Sequence, residues 1–344
     1  MINYLAKMWN KNGLPIHIMF HCTYRCNSKC RSCFLWKEID ESAVENELTV
    51  DEIRKIRKHL DDIIWLQIGG GEPFLRKDLP GICDAFGKVN TTAIPTNCLD
   101  PEGIEKALKE ILKNNRSSLL LSLSLDGLRD THDAIRGVGG NFDKVTETYQ
   151  RVSRLREKHP NFKISFNTVI MKENESEITK IIDYVKRSFR ADMHSFEFLR
   201  GQPRSLSVSL PDIARCRELF PVIKGCISSY GYGGGWKGKI LQKTKLYEHD
   251  LILETLERNK KKIDCFAGRL SAVINPYGDV YACELINEKI GNLRDFGYDF
   301  NKLWTSKKAD QIRQKIKSCF CTHSCVYLIN SLFNPGVMAR TLLR

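Results

Sequence analysis

Apolar positions along the chain fall into two periods that alternate. Short apolar runs at 15–20, 63–68, 91–95, 119–125, 164–169 and 194–198 have the length of buried strands. Between them, apolar residues recur three and four positions apart. Val50, Ile53, Ile56 and Leu60 share one helical face behind Thr49 and Glu52, which form a T-x-x-E capping box. Ile104, Ala107, Leu108, Ile111 and Leu112 make a second stripe, opened by Asp100 as N-cap and Pro101 at the first helical position. Phe142, Val145, Tyr149 and Val152 mark a third helix, Ile178, Ile181, Ile182 and Val185 a fourth, and 211–230 reads as the last of the series. Six strands alternating with helices predict right-handed βαβ units, hence an α/β fold with a parallel sheet. Periodicity alone leaves open whether that sheet curls into a barrel or stays flat.

The glycine-dense stretch 231–235 predicts an interdomain linker. The expected organisation is an N-terminal extension (1–14), a core (15–230), a linker and helix (231–262) and a small C-terminal domain (263–344). A chain of 344 residues with 42% hydrophobic content can bury one large core and a smaller satellite. It contains no run of about eighteen apolar residues, and positions 1–13 lack the apolar core of a signal peptide, so a cytoplasmic location is expected. The net charge of +13 is spread over helix surfaces, and no aromatic-rich RNA-binding motif accompanies the lysines at 260–262. Nucleic acid is therefore not the expected partner. Thirteen cysteines without an export signal read as metal ligands rather than disulfides.

Chemistry enters at 26–33. Cys26, Cys30 and Cys33 form a C-x3-C-x2-C array at the C-terminal end of the first strand. Three thiolates on one loop hold three corners of a four-iron, four-sulfur cluster and leave the fourth iron free for a ligand. Zinc, the alternative, normally takes four protein ligands. This array resembles that of the radical S-adenosylmethionine (radical SAM) enzymes, although Ser32 stands where that family usually has an aromatic residue. The resemblance implies a partial (βα)6 barrel, open on one side, and a free iron that chelates the amino and carboxylate groups of SAM.

Further motifs follow in the family's order. Gly69, Gly70, Gly71 and Glu72 resemble its GGE motif, which implies that Glu72 meets the SAM amino group. The run 122–127, with His132, Asp133 and Arg136 after it, resembles the SLDG…HD…RG signature. That likeness implies Ser124 near the cofactor, Arg136 paired with its carboxylate, and Asp126 at cofactor or substrate. A polar turn that fixes the loop is the plainer account of Asp126 and His132. Asn97, Asn167 and Val169 fall where the family lines the cofactor pocket. Cys98 replaces the glycine of the family's Thr-Asn-Gly and is a candidate hydrogen-atom donor at the barrel mouth, against an inert buried thiol.

At the C-terminus, Cys265, Cys283, Cys319, Cys321 and Cys325 surround a predicted hairpin turn at 275–279. This pattern resembles the SPASM domain or the shorter Twitch type. Five cysteines suit one second, auxiliary 4Fe-4S cluster, with zinc and His323 as the rival. The implied activity is reductive cleavage of SAM to a 5′-deoxyadenosyl radical that takes a hydrogen atom from a substrate. A flavodoxin or ferredoxin would supply the electron, and the auxiliary cluster would accept one. A small, carbohydrate-like molecule is the first substrate reading and a peptide the alternative. From a different class, a non-catalytic metal module binding RNA would keep the cysteines but would not need Glu72, Ser124 and Arg136.

Overall fold

The computed structural model describes residues 13–114, 117–319 and 321–343, the side chains of 325, 342 and 343 excepted. The expected extension at 1–14 lies outside the described residues except for its last two. Six parallel strands coincide with the six apolar runs: β1 (His17–Thr23), β2 (Trp65–Gly70), β3 (Thr91–Thr96), β4 (Ser118–Ser124), β5 (Phe162–Ile170) and β6 (Met193–Phe198). They lie in the order β6-β5-β4-β3-β2-β1, so every crossover moves one place the same way. Beyond β1 the sheet continues. Strand β7 (Ser271–Ile274) pairs parallel to β1 with His17 opposite Ser271, and β8 (Asp279–Tyr281) and β9 (Lys289–Asn292) follow antiparallel.

Alternation decides which side chains face the lumen. On β4, Leu119, Leu121 and Leu123 are buried against the helices while Ser122 and Ser124 point inward. On β5, Ile164 and Phe166 pack outward and Ser165 and Asn167 face the cavity. The lumen thus carries polar side chains from β4 and β5 beside apolar ones such as Leu120, Met193 and Phe196. The helices follow their stripes, including Pro101–Asn114, Asn141–Ser153, Ile178–Ser188 and Ile213–Ser228.

The linker expectation needs correction. Glycines at 231–235 turn the chain, but helix Gly235–Arg258 then packs along Ile213–Ser228 and the C-terminal helices Ser324–Leu332 and Pro335–Leu343. Tyr247, Leu251, Ile252 and Thr255 are buried on it. Its stripe escapes a sequence reading because lysines and glutamates interrupt it. The C-terminal region is not a separate core either: one apolar cluster runs from Ile18 and Phe166 to Ile274 and Trp304. No described helix is long and apolar enough to cross a membrane.

Glu52 ties the first barrel helix to the C-terminal region. It closes the capping box on Thr49, with its Oε2 accepting from Thr49 N at 2.8 Å. Its Oε1 also accepts from Arg294 Nε at 2.7 Å and Tyr298 OH at 2.9 Å. The hydrogen bond from Arg294, above all, holds the carboxyl at about 2, well below its ordinary value. A folded-state value below the unfolded one adds stability above the unfolded value and loses it as pH falls. Glu52→Gln should therefore cost about 1–2 kcal/mol in urea unfolding at pH 7. The gap from wild type should close as pH falls toward 2.

Candidate active site

The cysteine loop leaves β1 and is clamped from four directions. Gly71 N donates to Thr23 O and Glu72 N to Arg25 O, both at 2.8 Å. Asn97 Nδ2 donates to Asn27 Oδ1 at 2.7 Å. Ser28 Oγ donates to Arg136 O at 2.8 Å, at the end of helix Arg129–Arg136, and Arg204 N donates to Cys33 O at 3.0 Å. Glycine is required where these clamps close. A Cβ at Gly71 would lie 2.7 Å from the Arg25 carbonyl carbon and nearer still to its oxygen. Gly137, at φ +67°, would put one 2.7 Å from Lys29 O.

Burial lifts the thiols of Cys26 and Cys33 to about 12 and about 11, with Cys30 raising both further through its charge. Such thiols ionise when a metal replaces the proton. Among the described residues, no three His, Cys, Asp or Glu side chains converge on a single-ion site. Cys26, Cys30 and Cys33 border one cavity and Cys30 acts electrostatically on both others, a donor set that fits three corners of a cluster.

Of the candidate residues of the N-terminal region, all but Cys98 border one cavity: Cys26, Cys30, Cys33, Gly70, Gly71, Glu72, Asn97, Ser124, Asp126, Arg136, Asn167 and Val169. Glu72 is buried, accepting at Oε1 from Thr96 Oγ1 (2.9 Å) and Phe74 N (3.3 Å) and at Oε2 from Asn97 N (2.7 Å). Burial outweighs these bonds and raises its carboxyl to about 7. Asp126 Oδ2 is 2.7 Å from Arg136 Nη2, and its Oδ1 accepts from Val169 N at 2.8 Å. Arg136 also brings Nη1 to 3.8 Å from Cys30 Sγ. His132 takes the structural role: its Nδ1 accepts from Asp126 N, its Nε2 meets Asn141 Oδ1, and burial lowers it to about 3.

Cys98 is corrected. It is fully buried, does not border the cavity, and its Sγ turns to Thr96 O at 3.8 Å. Its φ of +65° lies in the left-handed region that favours glycine, and the thiol is packed into the apolar core. Sequence reasoning missed Glu197, Arg200 and Glu284, which also border the cavity. Inward alternation on β6 carried the signal for Glu197. Arg200 pairs with it and lies 4.7 Å over the Phe34 ring.

In the C-terminal region Cys265, Cys319 and Cys321 are close enough to act on one another electrostatically. Cys321 is raised to about 11 by burial, then by Cys265 and Cys319. Cys283 is raised by burial and then by Cys321 and Cys265. The Cys325 side chain lies outside the described residues. His323 is turned elsewhere, with Nε2 2.9 Å from Glu284 Oε2, while His21 Nε2 lies 2.9 Å from Oε1. Burial alone would raise the Glu284 carboxyl, but hydrogen bonds from His21 and His323 hold it well below the ordinary range.

Comparison with known families decides the assignment. The radical SAM superfamily model matches residues 20–185, and the SPASM iron-sulfur cluster-binding domain matches 265–326. The chain belongs to the radical SAM superfamily. With that membership come a 4Fe-4S cluster and SAM in the first region and auxiliary iron–sulfur chemistry in the SPASM region. This radical SAM protein is 26% identical over 318 residues to the antilisterial bacteriocin subtilosin biosynthesis protein AlbA of Bacillus subtilis. The match covers 87% of this chain and 63% of AlbA. It is 27% identical over 319 residues to the AdoMet-dependent heme synthase of Methanosarcina barkeri, covering 84% and 82%. In fold it is similar to Streptococcus suis SuiB bound to S-adenosylmethionine, with a TM-score of 0.64, 18% identity and coverage of 98% and 75%. SuiB bound to its precursor peptide SuiA gives 0.63, 19%, 94% and 72%. The chain spans less than two thirds of AlbA's length.

Proposed function

We propose that this radical SAM enzyme modifies a peptide, binding SAM between the Cys26/Cys30/Cys33 loop and the turn that carries Glu72. The observation that carries the reading is the meeting of three thiols and a buried, raised carboxyl on one polar cavity. Cys26, Cys30 and Cys33 would hold a 4Fe-4S cluster there with SAM beside it, and with one electron from a flavodoxin- or ferredoxin-type partner the pair would supply radical hydrogen-abstraction chemistry. The chain's own part is placement. Glu72 receives the ammonium of SAM, Arg136 is steered by Asp126 toward its carboxylate, and Ser124, Asn97, Asn167 and Val169 border the nucleoside. We place the catalytic core at 15–230 and the auxiliary domain at 263–344, in a reducing cytoplasm that suits thirteen cysteines.

The substrate reading shifts from the carbohydrate-like molecule to the peptide because AlbA is named for bacteriocin biosynthesis and SuiB is solved with a precursor peptide. A small-molecule substrate remains the second reading, favoured by the long match to the heme synthase. The test is 5′-deoxyadenosine formation by the anaerobically reconstituted protein. Short precursor peptides encoded near the gene should stimulate it and acquire a mass change. Stimulation by porphyrins alone would reverse the choice.

Glu72 predicts a pH dependence. An ammonium pairs with the ionised carboxylate, so a carboxyl at about 7 must shed its proton for SAM to bind in more acidic solution. SAM affinity should fall by about tenfold per unit below pH 7 and level off above it. In Glu72→Gln the affinity should be low and flat with pH, measured by equilibrium dialysis on the cluster-loaded protein.

Five C-terminal cysteines suffice for one cluster with one thiol to spare. Cys283→Ala should remove about four irons and four sulfides per chain and leave SAM binding in place. Zinc without sulfide in a Cys26/Cys30/Cys33 triple alanine variant would overturn the auxiliary cluster.

A further inference from the structure

A groove runs beside the cluster cavity, and Leu35 and Glu284 border both. Its walls set tyrosines and carboxylates among apolar residues such as Val273 and Ile286, with the candidate cluster ligand Cys283 also at its border. Tyr24 and Tyr277 meet edge to face with ring centroids 5.8 Å apart, and His21 meets Tyr24 in the same way at 5.8 Å. Tyr281 completes the aromatic lining, and Glu38 and Glu41 stand with them. Glu38 is near enough to act on both Tyr24 and Tyr281, adding to the burial that raises their hydroxyls.

Two observations separate this groove from an ordinary solvated face. The chain carries 54 lysines and arginines and a net charge of +13, yet neither residue type borders the groove. Glu38 and Glu41 have no side-chain partner among the described residues, whereas Asp279 nearby is held by Lys289 and Asn292. Independently, His21 is 3% exposed and borders the groove. Its Nε2 is committed to Glu284, and its Nδ1 is buried without a partner. With Nε2 donating to the Glu284 carboxylate, the neutral His21 ring presents Nδ1 as an acceptor, and such an acceptor among ring faces and carboxylates calls for a donor that is also a cation.

We propose that this groove is a substrate subsite for a cationic side chain, the ammonium of a lysine or the guanidinium of an arginine. That side chain would lie on the peptide a few residues from the position attacked. The inference rests on the peptide reading and extends it to sequence preference. Tyrosine faces attract the cation through the ring quadrupole, Glu38 and Glu41 supply the opposite charge, and the shared border at Glu284 sets the groove next to the cavity. In a protein so basic, the groove is also a local guide for a positively charged segment that the remaining surface repels.

The test uses the reconstituted, SAM-loaded enzyme and three probes: N-acetyl-lysine amide, N-acetyl-arginine amide and the uncharged N-acetyl-norleucine amide. Binding is followed by calorimetry and saturation-transfer NMR. The two cationic probes should bind at least about tenfold more tightly than norleucine amide, and added salt should weaken them. In Glu38→Gln/Glu41→Gln that preference should vanish while iron content and 5′-deoxyadenosine formation from SAM stay unchanged. Tyr281→Leu should act in the same direction. Equal binding of norleucine amide, or a preference that survives the double variant, overturns the proposal. Should wild type bind the probes as expected but form no 5′-deoxyadenosine, the catalytic reading fails instead.

Discussion

Cys30→Ala will abolish 5′-deoxyadenosine formation, lowering its rate by about three orders of magnitude or more, equivalent to at least ~4 kcal/mol. The iron count should drop by about four per chain, with the auxiliary iron and sulfide retained. Cys30 is the most informative of the three thiols because the surrounding polar groups converge on it. Ser28 Oγ lies 3.1 Å from its sulfur and Arg136 Nη1 3.8 Å. Without the thiolate, Arg136 keeps Asp126 as its ion-pair partner. Far-ultraviolet dichroism should change little, since none of the loop's clamps uses the Cys30 side chain. A variant that matches wild type in 5′-deoxyadenosine yield would refute the assignment of this loop to cluster binding.

Gly71→Ala should be nearly as damaging although it removes no functional group. The added methyl meets the Arg25 carbonyl, which is rigid backbone and also accepts the Glu72 N–H. Either β2 or the cysteine loop must move, at a cost of about 3–5 kcal/mol. The cheaper movement is of the loop, which is fastened by single bonds where β2 is paired along both edges. The expected result is a protein that folds with a lower melting temperature, fails to load its N-terminal cluster and retains the auxiliary one. Normal loading would mean that the turn and the loop are not mechanically joined.

Much of this was legible in the chain, for identifiable reasons. The six strands carry their own apolar runs, and local signals such as the Thr49/Glu52 box lie within four residues. The cavity residues were found because most lie at or just after the C-terminal end of a strand, and motif spacing marks both these and Arg136 at the end of its helix. What escaped depends on distant partners. The role of helix Gly235–Arg258 emerges only once its charged stripe is packed under the C-terminal helices. Cys98 read as a mouth residue because it follows Thr96 and Asn97, but a positive φ turns its side chain the other way. Glu284 bonds to residues 263 positions earlier and 39 later, and nothing near it in the sequence announces either.

The pairing of β1 with β7 constrains how such a chain is born. His17 meets Ser271, a residue made 254 positions later. During synthesis one flank of the first strand stays bare until those 254 further residues have been made, a standing invitation to pair with a neighbour. Nascent chains halted before that point should depend on chaperones in a way the finished protein does not.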